Sequence, residues 1–243
     1  MKKFVILTTQ RSGSTLLWRY LDQHPEIKGH GEVFMRGMNR PDSYRTFIRN
    51  KWFGRVRNRL NKGRMIASYM KTLVPVDNQT KAFGFKLMYT QMNPYMTQYI
   101  KDNDFYIIHL IRKNFLKTIL SRETAKARSM YHASPEDSVK AVKVTLDTET
   151  LMSDLNTINN EVSENREVFN GCPYTEVYYE DLVENKDEVS KSIFEFLGLD
   201  PNGISEMEFP LKKINPDNLE DLIENFDEVE RVVSQSEFKA MLD

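Results

Sequence analysis

The sequence predicts an α/β fold in three layers, a central and mainly parallel sheet flanked by helices. Three observations predict it. Four short runs rich in β-branched and aromatic residues lie at Lys3–Thr8, Ala82–Leu87, Phe105–Ile111 and Thr175–Tyr179, separated by helical stretches. The first three are nearly continuous in apolar residues, as strands covered on both faces are. At 243 residues the chain is long enough for one sizeable core, and no repeat or low-complexity linker divides it. A single domain over 1–243 is therefore expected.

The elements follow in order. The first strand meets a small-residue loop, and a helix opens at Ser14 and runs to Asp22. A basic stretch at about 43–75 reads as a helical insertion. Between Ser43 and Pro75 it holds Arg45, Arg49, Lys51, Arg55, Arg57, Arg59, Lys62, Arg64 and Lys71, and no acid. Such a run is ordinarily a solvated helix face. The sharper reading is a segment lying over a site and helping to hold an anionic donor or acceptor. Its Tyr44, Phe47, Trp52 and Phe53 suit helix packing or an acceptor wall better than a base-stacking platform. Strand Ala82–Leu87 precedes a helix at Gln91–Lys101. Strand Phe105–Ile111 precedes one at Phe115–Ala127. A long helix is expected over Pro135–Phe169, then strand Thr175–Tyr179 and helix Lys186–Leu197. Asp217 to Glu230 is strongly acidic and reads as another solvated face.

The segment Phe4-Val5-Ile6-Leu7-Thr8-Thr9-Gln10-Arg11-Ser12-Gly13-Ser14-Thr15-Leu16-Leu17 carries the most chemistry. A strand, a tight loop and a helix N-terminus form an anion site, because backbone N–H groups and the helix dipole favour negative charge there. Gly13 permits close backbone approach. Ser12, Ser14 and Thr15 add hydroxyls, and Arg11 adds a cationic fork. The arrangement is P-loop-like without the nucleotide-triphosphate signature. Aligned on Gly13, Thr8 stands where that signature has its first Gly, and Ser14 where it has Lys. A kinase or NTPase of the P-loop type stays as an alternative that the missing lysine disfavours. A non-catalytic nucleotide binder is a second alternative.

Thr9–Leu17, followed by Leu21-Asp22-Gln23-His24-Pro25, resembles the 5′-phosphosulfate loop of sulfotransferases that use 3′-phosphoadenosine 5′-phosphosulfate (PAPS). The nearest flavour is the bacterial carbohydrate group of the nodulation-factor type. Further segments match in order along nearly the whole chain. The resemblance implies PAPS as co-substrate, 3′-phosphoadenosine 5′-phosphate (PAP) as product, and no metal. It assigns Arg11, Ser12, Gly13, Ser14, Thr15 and Leu16 to the donor loop.

A second anion site is expected where strand Phe105–Ile111 ends in Arg112 and the next helix carries Ser121, nine residues on. Strand ends in such sheets are where ligands sit. An Arg fork with a hydroxyl suits a phosphate. The pair resembles the family's 3′-phosphate motif, with a spacing one residue longer than in many members. Arg122 and Lys126 are nearby or else surface charges. Tyr178-Tyr179-Glu180-Asp181-Leu182 resembles the family's Y-E-D-L segment, which implies Tyr179 beside the adenine and a structural role for Glu180. Leu211-Lys212-Lys213-Ile214-Asn215 resembles the family's C-terminal K-x-N segment, and Lys212 or Lys213 then closes over the nucleotide.

Sulfuryl transfer requires in-line positioning, a base for the acceptor proton and cations for the leaving group. The resemblance points to Glu32, in Gly29-His30-Gly31-Glu32, as the base, with His30 as rival. Arg11 and Lys86 are the candidate cations. Lys86 stands near the end of an apolar strand, where a lysine is costly unless it faces the site mouth. The family carries a lysine after a similar F-G-x-K strand. His109, inside a buried strand, is expected to be a satisfied core residue, and His24 a helix-end residue. Tyr131, His132 and the 43–75 stretch are expected to line the acceptor pocket.

Composition excludes some partners. The net charge of −1 gives no global field for nucleic acid or membrane. One cysteine, Cys172, excludes an internal disulfide framework and fits a reducing compartment. No leader pattern or membrane-length apolar run is visible, so a cytoplasmic protein is expected. The residues do not identify the acceptor; the resemblance favours a carbohydrate or glycolipid hydroxyl, with a small alcohol, phenol or polyketide-type metabolite open. The oligomeric state has no signal.

Overall fold

The computed structural model describes residues 1–35, 37, 40–128, 142–202 and 218–242. Its centre is a five-stranded sheet with β1 (Lys2–Thr8), β2 (Ile27–His30), β3 (Ala82–Met88), β4 (Phe105–Ile111) and β5 (Tyr174–Tyr178). The order across the sheet is β2-β3-β1-β4-β5, and every pairing is parallel. All five carboxyl ends therefore lie along one edge. The connections diverge to either side of central β1, which makes the ends of β1 and its neighbours the crevice where α/β sheets bind ligands.

Alternate side chains of the strands enter two cores, as a period of two requires. Val5, Leu7, Phe83, Phe85, Leu87 and Ile107 join one face. They pack there with residues of α4 (Lys62–Leu73), α5 (Pro94–Asp102), α6 (Phe115–Arg128), α7 (Thr148–Val168) and α10 (Phe226–Val233). Phe4, Ile6, Ile108 and Leu110 join the other. They meet α1 (Ser14–Leu21), the short α8 (Tyr179–Glu184) and α9 (Lys186–Leu197). This is the expected three-layer α/β fold.

Several boundaries differ from expectation for physical reasons. Strand β2 was not expected. It is a four-residue edge strand with one buried residue, Ile27, and too short to show a period. The helix expected from Gln91 begins at Pro94, with the Asn93 side chain accepting from the Met96 N–H. Proline suits the first helical position and the residue before it does not suit a helix. Of the helix expected over Pro135–Phe169, residues 135–141 lie outside the described residues, and α7 starts at Thr148, capped by Asp147. Upstream, Val144 pairs in parallel with Ile223, so 142–147 is extended rather than helical. The β-branched Val142-Lys143-Val144-Thr145 alternation favours that. Strand β5 begins and ends one residue earlier than expected, and Tyr179 opens α8. The 43–75 stretch is helical: α2 (Tyr44–Asn50), α3 (Gly54–Leu60) and α4. Among the described residues no helix is long and apolar enough to cross a membrane.

Candidate active site

The donor-type loop is braced from within. Thr8 Oγ1 donates to the Leu110 carbonyl (2.6 Å), tying the ends of β1 and β4. Ser12, fully buried, hydrogen-bonds Thr8 Oγ1 and donates to the Thr9 carbonyl (2.8 Å). Its hydroxyl thus shapes the loop, which leaves its N–H as the group it offers a ligand. Arg11 and Gly13 both take left-handed conformations, at φ 66° and 89°. Gly13 precedes α1 and its carbonyl accepts from Leu17, so the turn ends directly in a helix N-terminus. Ser14 is buried in the first turn, Leu16 joins the core below, and Thr15 stays partly exposed.

The two segments expected to bind anions meet. Arg11 Nε donates to Ser121 Oγ (3.1 Å), and Arg112 Nη1 donates to the Arg11 carbonyl (3.3 Å). Arg11, Arg112 and Ser121 therefore form one cluster over the carboxyl ends of β1 and β4. Tyr179 closes it. The Arg112 guanidinium lies 4.8 Å from the Tyr179 ring centroid, a cation–π distance. A Cβ placed on Gly13 would fall 2.3 Å from a Tyr179 ring carbon, so the glycine is what lets the ring cover the loop. Glu180 accepts from the Lys113 N–H (3.0 Å) and the Asn114 N–H (3.3 Å) at the start of α6, a structural role. Arg122 pairs with Glu123 and Asp154, and Lys126 with Glu123, as surface ion pairs.

On the other side of β1, Lys86 is the junction. Its Nζ donates to Thr15 Oγ1 (3.0 Å) and to Glu32 Oε1 (3.3 Å). It is only 5% exposed, so it does not snorkel along an edge. Burial pulls its pKa below the ordinary lysine value, and the Glu32 carboxylate opposes that pull. One ammonium thus links the first turn of α1 to the loop after β2. Gly84, two residues before it, is needed for packing: a Cβ there would lie 2.4 Å from the Phe4 ring.

Glu32 sits in a turn where the Glu32 carbonyl accepts from Met35 and the Gly31 carbonyl accepts from Lys86. His30 is engaged elsewhere. Its Nδ1 lies 3.3 Å from Asp42 Oδ2, and Arg40 forks the same carboxylate. Arg40 is a residue sequence reasoning missed. A side chain on Gly31 would meet Arg40 Nη1 and the Lys86 stem at 3.8 Å each, so Gly31 separates two cations beside Glu32. Arg40 stands in an aperiodic stretch where no pattern marks it. His109 lies wholly buried between the Tyr89 and Tyr174 hydroxyls, as expected of a core histidine. His24 is buried after α1, its Nδ1 accepting from the Glu26 N–H (3.2 Å). Lys212, Lys213, Tyr131 and His132 lie outside the described residues.

A cavity of about 470 Å³ opens beyond Glu32. Phe34, Met35, Tyr44, Ile48 and Ile66 form its apolar wall, and Arg45, Arg49, Arg55 and Lys62 its charged one. Gln91 and Asn93, just past the end of β3, complete the polar lining. The insertion helices therefore lie by the end of β3, and the arginine cluster lies over the ends of β1 and β4.

The fold has relatives among solved structures. A sulfotransferase from Alicyclobacillus acidocaldarius superposes with a TM-score of 0.56 at 15% identity, covering 100% of this chain and 94% of that one. The sulfotransferase domain from the curacin biosynthetic pathway superposes with a TM-score of 0.50 at 13% identity, covering 97% of each chain. No curated protein has a matching sequence. A family model described as "Sulfotransferase family" matches residues 4–202, from β1 through α9, and so takes in the loop, Glu32, Lys86, the Arg112–Ser121 pair and Tyr179. The chain belongs to the Sulfotransferase family.

Proposed function

We propose that this enzyme transfers a sulfuryl group from PAPS to an acceptor hydroxyl, with a carbohydrate or glycolipid as the acceptor class and PAP as product. The chain is read as one domain whose 43–75 insertion roofs the acceptor side, working in the cytoplasm. The observation that carries the reading is Lys86, held between Thr15 of the donor loop and Glu32. A buried lysine in a strand end is costly, and here it joins a donor-loop hydroxyl to a carboxylate facing the other side.

The residues present fit the donor. The loop 9–13 and the N-terminus of α1 offer N–H groups and a dipole to its 5′-phosphate. Arg112 and Ser121 form a fork-and-hydroxyl site suited to the 3′-phosphate, and Arg11 of the loop contacts both. Tyr179 supplies a ring face beside that site, for the adenine. The family resemblance assigns Lys212 or Lys213, outside the described residues, to the nucleotide as well. PAPS supplies the activated sulfuryl group when bound. Glu32 takes the acceptor hydroxyl proton as the new oxygen–sulfur bond forms and the sulfur–oxygen bond to phosphate breaks. Lys86 and Arg11 stabilise the negative charge that develops on the leaving phosphate oxygen. In the free enzyme the Lys86 ammonium holds the Glu32 carboxylate aimed by a hydrogen bond, a position that suits a base.

Calorimetric titration with PAP tests this, with 5′-AMP, ADP and ATP–Mg²⁺ as controls. Binding that requires the 3′-phosphate is the expected result. Preference for ATP–Mg²⁺, or no nucleotide binding, would overturn the reading.

A further inference from the structure

Helix α3 and the turn before it carry the most exposed apolar cluster of the described chain. Trp52 is 81% exposed, Phe53 62%, Val56 53% and Leu60 73%. The Trp52 and Phe53 rings stack, with centroids 5.3 Å apart. Phe53 is held in a left-handed conformation (φ 53°), one that bulky side chains rarely adopt, and this turn starts the helix. Positions 53, 56 and 60 recur at helical spacing, so the three side chains share one face. The opposite side of α3 meets the protein, where Gly54 is buried and Asn58 accepts from the Tyr44 hydroxyl (2.6 Å).

The charges around this face are all of one sign. Arg55, Arg57 and Arg59 interleave with the apolar positions, Lys51 precedes them and Lys62 follows, and no acid occurs between Ser43 and Pro75. Among the described residues Arg57 and Arg59 have no ion-pair partner. The chain's net charge of −1 conceals this because acids elsewhere cancel it.

We propose that the Trp52–Leu60 face is a peripheral docking surface for a lipid bilayer rich in anionic headgroups. Bulky apolar side chains standing proud of a cationic surface match an interface that is anionic outside and hydrocarbon inside. Arginine stems can lie along the apolar layer while their guanidiniums reach phosphate. A nucleic-acid backbone would satisfy the arginines and leave Val56 and Leu60 without a partner. A second copy meeting the face across a twofold axis would set like charges against each other. Because Arg55 and Asn58 of the same helix line the cavity walled by Phe34 and Tyr44, docking brings that cavity close to the headgroup layer.

The test is co-sedimentation of the full chain with vesicles of phosphatidylcholine alone and with about one-third phosphatidylglycerol. Variants Trp52→Ser/Phe53→Ser and Arg57→Gln/Arg59→Gln accompany it, with circular dichroism and melting temperature as fold controls. Binding to the anionic vesicles only, weakened by salt, is expected. The aromatic variant should lose about tenfold or more in partitioning, and the arginine variant roughly tenfold. No sedimentation with anionic vesicles, equal sedimentation with both kinds, or undiminished binding by the folded aromatic variant would each overturn the proposal. None of these readouts depends on PAPS or PAP.

Discussion

The roles proposed for Glu32 and Arg112 are separable, and each has its own substitution. Glu32→Gln keeps the shape but removes the proposed base and the carboxylate beside Lys86. Turnover should fall roughly 10²–10⁴-fold, the range of general acid–base help, while PAP affinity stays near that of the parent. Near-full activity would hand the base to His30. The two are separable because His30 already faces Asp42. Arg112→Ala removes a charged contact of a kind worth roughly 1.5–3 kcal/mol. PAP binding should weaken by roughly 10–100-fold, with 5′-AMP binding unchanged. Calorimetry with the two ligands measures both. Equal losses for PAP and 5′-AMP would place Arg112 at the 5′ side instead. At this scale the sequence was most legible around the loop. Ser12, Gly13 and Tyr179 show what it leaves out. The Ser12 hydroxyl braces the loop, and the absent side chain of Gly13 makes room for the Tyr179 ring, a contact across 166 positions of chain.

At the scale of the element, the ends of the strands set the site and their close approach sets its dimensions. Strand β3 is buried at every position, which is why it reads as a continuous apolar run broken only by Gly84 and Lys86. Each exception has a separate cause: Gly84 receives the Phe4 ring, and Lys86 reaches Thr15 and Glu32. Gly84→Ala overpacks the β1–β3 contact, and such insertions cost about 1–3 kcal/mol. Urea denaturation should report that loss. An unchanged midpoint would mean that Phe4 can move aside. Strand β2 and helix α8 were illegible because each is too short for its period to emerge from neighbouring residues. The start of α7 was misplaced because residues 142–147 find an extended partner around Ile223, remote in sequence.

For the whole molecule, His109 ties three parts of the sheet together through the Tyr89 and Tyr174 hydroxyls. Burial lowers its pKa from 6.5 to about 4. The unfolded chain therefore binds a proton between these values that the folded chain does not. The folded state keeps its full margin above pH 6.5 and loses it as pH falls toward 4. At about 1.4 kcal/mol per pKa unit, the loss amounts to roughly 3 kcal/mol. Chemical denaturation from pH 7 to pH 4.5 should show the decline, and His109→Gln should flatten it. A parallel decline in that variant would assign the effect to carboxylates. The sequence by itself determined the three-layer α/β class, four of the five strands and the strand–loop–helix junction that ends at Ser14. Those features are written in local patterns: apolar runs, a small-residue turn and a helix start. Only the tertiary structure decided that Arg11 meets Ser121 and Arg112, that Lys86 bridges Thr15 and Glu32, and that α2–α4 enclose a cavity. Parallel strands bring their carboxyl ends to one edge from distant parts of the chain, and no local pattern records which side chains meet there.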